Sequence, residues 1–470
     1  QEGDDVRFID WKSTARQGTL LVREYVEERS RTVMLVLDGS ASTFLDSGDA
    51  KLNAVLNVGN FQWQQSSTQS EANTSNYAIK PGVYSLSDGS SKQIIKYKFL
   101  SDSVDPALTT AGDRNGFAAM TNTQKASVTN ALNYISSLVD VEFQLVTSGA
   151  DINFGTNNQG STSGGYATGA NAAFTTNGVN LLLNNTSASG AVNRNPQQGD
   201  YGWETLIHEV GHTLGLKHPG AYNAGGGVAA GPYLSAADDN RRNTVMSYND
   251  AVDMKNWTSI GNTGYAYSAI NPSTYMPLDI LALQFLYGKN TTGVSATDDA
   301  KSLSNFQTTS FTSSWMGLET LSSTDEGLDV NLSNLNASNI VDLRAGAFSS
   351  INIKDASYNA LLGSGKSAQT FYNINNVGLS YDSSISNLIG GQGRDVVYVS
   401  NKDVTIDGGG GDDKVYLYGD ASNWLANVVD DTETDYQNGD VTVKLKNIKT
   451  ISYYDMSNTS VTHARVDLTA

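Results

Sequence analysis

The apolar positions change their period along the chain. Val128, Leu132, Ile135 and Val139 recur at helical spacing, so residues 122–139 are predicted as an amphipathic helix whose stripe packs into a core. Ile94 to Phe99 alternates as a strand does, and Ala150 to Gly155 and Val179 to Leu183 read as further strands. A helix is predicted from Trp203 to Leu214. Another runs from Leu278 to Tyr287, opened by Pro277 and closed by Gly288. Beyond about residue 291 short alternating strands take over: Leu328, Val330 and Leu332; Val341 and Leu343; Val441, Val443 and Leu445. The fold expected is an α+β domain over 44–290, followed by a mainly β domain over 291–470.

The opening differs from the rest. Residues 1–43 hold six basic and eight acidic side chains and five of the chain's 12 arginines. Val33 to Leu37 reads as a buried strand and Ser47 to Leu56 as a short helix. The chain begins at Gln1 without a charged-then-apolar leader pattern, so its start is expected to be processed or truncated.

Composition narrows the function. There is no cysteine, which excludes disulfides, zinc–thiolate sites and a cysteine nucleophile. With 30 basic against 48 acidic residues the net charge is −18, which argues against nucleic acid as a partner and suits calcium. No run of about 20 apolar residues appears, so no stable membrane insertion is expected.

Three of the four histidines fall in His208-Glu209-Val210-Gly211-His212-Thr213-Leu214-Gly215-Leu216-Lys217-His218. His208 and His212 are four apart and share one helix face. Gly215 permits the left-handed turn that ends a helix, so His218 can approach from another direction. Three imidazoles leave a tetrahedral zinc one position for water. Glu209, beside the first ligand, is the candidate general base, and it delivers the proton to the leaving amine. Tyr248, in the downstream segment Thr244-Val245-Met246-Ser247-Tyr248, is the candidate oxyanion donor. His463, alone near the end, reads as a surface residue.

The histidine segment and Thr244 to Tyr248 together resemble the metzincin metalloproteases, most closely the serralysin group. Ala150 to Gly155, His218 to Asn223 and Leu278 to Gly288 are similar to that group too, and the resemblance covers roughly residues 46–470. It implies a secreted, extracellular zinc metalloendopeptidase acting on protein or peptide substrates. Met246 would form a turn beneath the zinc, and Tyr248 would be an additional, switchable zinc ligand.

Gly390-Gly391-Gln392-Gly393-Arg394-Asp395-Val396-Val397-Tyr398 repeats 18 residues later as Gly408-Gly409-Gly410-Gly411-Asp412-Asp413-Lys414-Val415-Tyr416. Each repeat offers a tight turn of carbonyls and a carboxylate, ligands that suit calcium. Stacked, such turns make a short parallel β-roll. The candidate calcium ligands are Gly390, Gln392, Gly393 and Asp395, with Gly408, Gly410, Gly411 and Asp413. One or two ions are expected, with Val397 and Val415 pointing inward. Rolls of this kind in serralysin-like proteins imply export through a type I secretion channel, and a monomer is expected.

Gly3 to Arg7, Ile9 to Trp11, Val22 to Glu24 and Leu37 to Ser42 resemble the start of a family of uncharacterised bacterial proteins with a von Willebrand A-like domain. In that family an Asp-x-Ser-x-Ser turn helps hold magnesium. The resemblance stops at about Ser42, so Asp38, Ser40 and Ser42 are not assigned a metal. Residues 1–43 are read as a foreign or truncated segment. The alternative function is a calcium-dependent adhesion or binding protein with an inactive protease-like domain. The intact Glu209 argues against it.

Overall fold

The computed structural model describes residues 93–456, apart from 162, 169–177, 187–190, 224–232, 251–254, 261–263, 291–302, 324–326 and 354–372. The expectations for residues 1–43, for the helix at Ser47 to Leu56 and for His463 lie outside the described residues.

The first half is a sheet with helices packed on it. Its strands are β1 (Gln93–Phe99), β2 (Val141–Leu145), β3 (Ile152–Asn157), β4 (Gly165–Thr168) and β5 (Val179–Asn184), in the order β2-β1-β3-β5-β4. All neighbours are parallel except β4, which runs antiparallel to β5 at the edge. Every residue of β3 and β5 is buried, as central strands covered on both faces require. The helix α1 (Asn122–Leu138) starts at a capping box in which Thr121 and Gln124 satisfy each other's backbone N–H. Its predicted stripe of Val128, Leu132 and Ile135 is buried in the first core, together with Val139 just past its end. The helix α2 (Tyr201–Thr213) is capped by Asp200, whose carboxylate accepts the Trp203 N–H at 2.7 Å. Nearly every residue of α2 is buried, so it is a core helix rather than a surface one. Pro277 opens α3 (Pro277–Tyr287), and Gly288 ends it at φ 77°.

Between α2 and α3 lies a hairpin the pattern did not reveal, β6 (Lys255–Ile260) with β7 (Gly264–Ala269). The second half opens with β8 (Ser310–Thr312), β9 (Glu319–Leu321), β10 (Leu328–Asn334), β11 (Ile340–Asp342), β12 (Phe348–Ser349) and β13 (Val377–Leu379). It continues through β14 (Ile385–Ile389), β15 (Val396–Tyr398), β16 (Val404–Asp407) and β17 (Lys414–Tyr418). It ends with β18 (Leu425–Val428), β19 (Glu433–Asn438), β20 (Val441–Lys446) and β21 (Thr450–Tyr454). From β14 to β18 the chain alternates between two sheets, and β18, β19 and β20 then lie antiparallel side by side in one of them. β14, β16 and β20 join one as parallel neighbours, and β15, β17 and β21 join the other.

The 18-residue offset becomes a register: Val396, Val397 and Tyr398 pair with Lys414, Val415 and Tyr416. Tyr398 and Tyr416 stack with ring centroids 4.6 Å apart. Val397 and Val415 enter a second core with Val404, Ile406, Val443 and Leu445. That core is distinct from the first, which runs from Ile95 to Leu318. Among the described residues no helix is long and apolar enough to cross a membrane.

Candidate metal centre

The helix α2 carries His208 and His212 on one face. It ends because Gly215 takes φ 104°, and the Leu216 N–H then closes the turn on the Gly211 carbonyl at 2.9 Å. That turn brings His218 back: its Nε2 lies 3.2 Å from His208 Nε2 and 3.1 Å from His212 Nε2. Each Nδ1 faces an acceptor on another segment. His208 Nδ1 donates to the Val245 carbonyl at 2.8 Å, His212 Nδ1 to the Leu216 carbonyl at 2.9 Å and His218 Nδ1 to Asn223 Oδ1 at 2.6 Å. These partners place the single proton of each neutral ring on Nδ1. Three Nε2 lone pairs are then turned toward one point with no proton between them.

Burial keeps the three rings neutral, and the neighbouring rings add to it for His208 and His212. The pKa of His208 is held well below its ordinary value, that of His212 falls to about 3 and that of His218 is lowered. Lone pairs so converged repel unless a cation lies among them. Tetrahedral zinc with nitrogens at about 2.0–2.1 Å sets them roughly 3.3 Å apart, close to the spacing found. The three histidines therefore fit a zinc ion.

The surrounding side chains form a cleft of about 320 Å³ between α2 and the edge strand β4. Glu209 points into it. A Cβ on Gly165 would stand 3.2 Å from Glu209 Cγ, so β4 lies directly against this side chain. Burial pushes the Glu209 carboxyl up to about 8, opposed by a hydrogen bond from the Ala167 N–H. Glu204, one turn earlier, is paired with Arg241 at 2.7 Å, and Arg241 reaches Asp250 at 2.6 Å.

Met246 is fully buried below the histidines, and a Cβ on Gly211 would come within 3.0 Å of its Sδ. A glycine between the two helical ligands is thus what lets Met246 lie under them. Tyr248 is 41% exposed and reaches over the site, with its ring centroid 4.5 Å from that of His218 and 4.8 Å from that of Tyr222.

Several supporting residues escaped the sequence reading. Asp279, in the first turn of α3, accepts from Thr244 Oγ1 at 2.6 Å, from the Val245 N–H at 2.8 Å and from the Met276 N–H at 3.0 Å. It thereby fixes the segment whose carbonyl holds His208. Tyr222 and Ser247 both donate to Asp239 Oδ1 at 2.6 Å, which anchors the backbone on either side of Tyr248. Asn223, Tyr222 and Asp279 all lie in the stretches that carried the resemblance, which was their one signal in the sequence.

The glycine-rich turns lie far along the chain from this centre and stack on each other. Gly410 N–H donates to the Gly391 carbonyl at 2.9 Å, and a Cβ on Gly409 would lie 2.5 Å from that oxygen. A Cβ on Gly411 would lie 2.3 Å from the Gly393 carbonyl. Gly390 and Gly408 meet at the same seam, while Gln392 is exposed and hydrogen-bonds through its N–H to the Leu335 carbonyl. Asp395 and Asp413 are both buried, and the Asp395 N–H donates to Asp413 Oδ1 at 2.8 Å.

Comparison with known proteins agrees with this geometry. Residues 31–258 match the metallo-peptidase family M12, and residues 1–58 match a family described as a protein of unknown function, DUF58. The chain is 33% identical to serralysin of Proteus mirabilis over 219 residues, which is 46% of this chain and 39% of that protein. It is 32% identical to metallopeptidase AprA of Pseudomonas marginalis over 209 residues, 43% of this chain and 42% of that one. Over 127 residues it is 37% identical to serralysin C of Dickeya chrysanthemi, 27% of this chain and 23% of that one. The chain spans about two-fifths of the length of the first two relatives. The likeness to serralysin-like metzincins read from the histidine and methionine segments is borne out.

Proposed function

We propose that this chain is a secreted zinc metalloendopeptidase that hydrolyses peptide bonds in protein or peptide substrates. Its catalytic domain would span residues 44–290, and residues 291–470 would form a β-roll/β-sandwich domain for calcium binding and secretion, with a short parallel β-roll within it. The observation that carries the reading is the convergence of three Nε2 atoms whose Nδ1 protons are all engaged, with the Glu209 carboxyl in the adjoining cleft.

Zinc, when bound, supplies a Lewis acid that polarises the scissile carbonyl and brings the pKa of a water toward about 7. Glu209 takes a proton from the attacking water onto a carboxylate oxygen. The water oxygen bonds to the carbonyl carbon, the C–N bond breaks, and Glu209 returns the proton to the leaving amine nitrogen. The Tyr248 hydroxyl donates to the carbonyl oxygen as negative charge develops there. Among the described residues β4 pairs with β5 alone, which leaves an edge along the cleft. An extended peptide would add to that edge as a further strand.

Calcium fits the seam between the two glycine-rich turns. Asp413 Oδ2 is buried without a protein donor, and a Cβ on Gly408 would stand 2.7 Å from it. An orphaned buried carboxylate oxygen in a turn without side chains is what a hard cation relieves.

The test is metal content and cleavage together. The purified chain should hold about one zinc and cleave casein, and both should disappear on chelation and return with zinc. A zinc-loaded protein without peptidase activity would favour the adhesion reading instead.

A further inference from the structure

The two glycine-rich turns repeat in sequence, yet their aspartates are bonded differently. Each Asp395 oxygen has a protein donor. Oδ1 accepts the Asn339 backbone N–H at 2.9 Å and the Asn339 Nδ2 at 2.8 Å, and Oδ2 accepts the Gly391 N–H at 2.5 Å. Asp413 has a donor on Oδ1 alone, the Asp395 N–H, and its Oδ2 is left without one. The backbone explains part of the difference. Gly409 takes φ 75° and gives its N–H to Asp407 Oδ1 at 3.1 Å, whereas the equivalent Gly391 gives its own to Asp395.

The rest is Asn339. It is fully buried in the turn stacked above Gly390 to Asp395, where the Leu335 carbonyl accepts the Gln392 N–H at 2.7 Å. Its side chain is committed on both ends. Oδ1 accepts the Asn352 N–H at 2.7 Å, and Nδ2 bonds the Ala337 carbonyl as well as Asp395. An amide locked in this way brings its positive N–H edge to the carboxylate and cannot swing aside.

We propose that Asn339 is a built-in replacement for a cation, so that this roll takes one divalent ion at the Asp395–Asp413 seam and closes the seam above without one. Charge agrees: at the lower seam the buried Asp413 carboxylate meets the Asp395 N–H and keeps one oxygen without a donor, which leaves negative charge there for a cation to balance. At the upper seam a neutral amide faces Asp395 instead of a second carboxylate. The proposal rests on the calcium reading and adds to it the number of ions and the residue that limits it.

The full chain tests it by equilibrium dialysis against calcium with total metal analysis, and by thermal melting with and without calcium. Asp413→Asn should bind one calcium fewer than the parent. Asn339→Asp replaces a donor to Asp395 with a second carboxylate. It should bind one calcium more, melt lower than the parent without calcium and gain more from calcium addition. Asn339→Ala removes the donor without adding charge, so its melting temperature should fall while its calcium count stays at the parent value. A changed count in Asn339→Ala would overturn the proposal, and that variant decides if Asn339→Asp does not fold. A parent that loses calcium in Asp413→Asn while Asn339→Asp binds no additional ion overturns this proposal alone. A parent that takes up no calcium overturns the calcium reading and the proposal with it.

Discussion

Asp279 holds the metal centre from beneath without touching it. It is fully buried, and its carboxylate accepts three donors, from Thr244, Val245 and Met276. Asp279→Asn keeps the volume but turns an N–H₂ group toward at least one of those donors. Leaving one or two buried donors unsatisfied costs roughly 2–3 kcal/mol, and Asp279→Ala, which strands all three, roughly 3–6 kcal/mol. At about 2–4 °C per kcal/mol for a domain of this size, the Asn variant should melt roughly 5–10 °C below the parent. A second effect separates positioning from bulk stability. The Val245 carbonyl orients His208 through a 2.8 Å bond, so a shifted segment should tilt that ring. Loss of such an outer partner weakens metal binding by about 10–100-fold. Competition with a chelator of known affinity measures the zinc dissociation constant, and a melt of the zinc-free protein measures stability. Glu319→Gln, at a buried carboxyl outside the histidine cleft, serves as the control that should leave zinc affinity unchanged. An Asp279→Asn protein with parental zinc affinity would refute the chain of support from α3 through Val245 to His208.

Tyr248→Phe should lower turnover by roughly 10²-fold with little change in the Michaelis constant, because the hydroxyl is proposed to act on charge that develops in the transition state. Steady-state kinetics on one peptide reads this out, and parental turnover would remove the hydroxyl from the mechanism. Burial pushes the Glu319 carboxyl up to about 7, against hydrogen bonds from Thr308 and Ser273. The unfolded chain releases that proton near pH 4 and the folded chain near pH 7. Stability should therefore fall as pH rises through this window. Glu319→Gln should flatten that slope in denaturant melts from pH 4 to 8, and an unchanged slope would show that Glu319 titrates normally.

The metal centre was legible because its ligands share one short segment. The i, i+4 pair and Gly215 encode the geometry locally, and the structure places all three histidines together. The three predicted helices that fall within the described residues came through within a residue or two, since their stripes and end signals agree. What the sequence left hidden depends on contacts between distant segments. Asp279 lies 35 residues from Thr244, and nothing in its apolar surroundings marks it as an acceptor for that segment. The hairpin of β6 and β7, Lys-Asn-Trp-Thr-Ser-Ile and Gly-Tyr-Ala-Tyr-Ser-Ala, lacks the alternation that identifies a strand. The glycine repeats were plain, yet the contrast between their aspartates was not. It depends on Asn339, 56 residues before Asp395, in a turn without a glycine signature.

Glu209 is proposed to move the proton at a centre held by three histidines. Glu209→Gln keeps the size of the side chain and removes its basicity, and it leaves His208, His212 and His218 untouched. The measurement is hydrolysis of one peptide by parent and variant, both shown by metal analysis to carry about one zinc per chain. Turnover should fall by about 10²–10⁴-fold, the usual worth of a placed proton-transfer group. A zinc-loaded Glu209→Gln protein that cleaves at the parental rate would contradict the account.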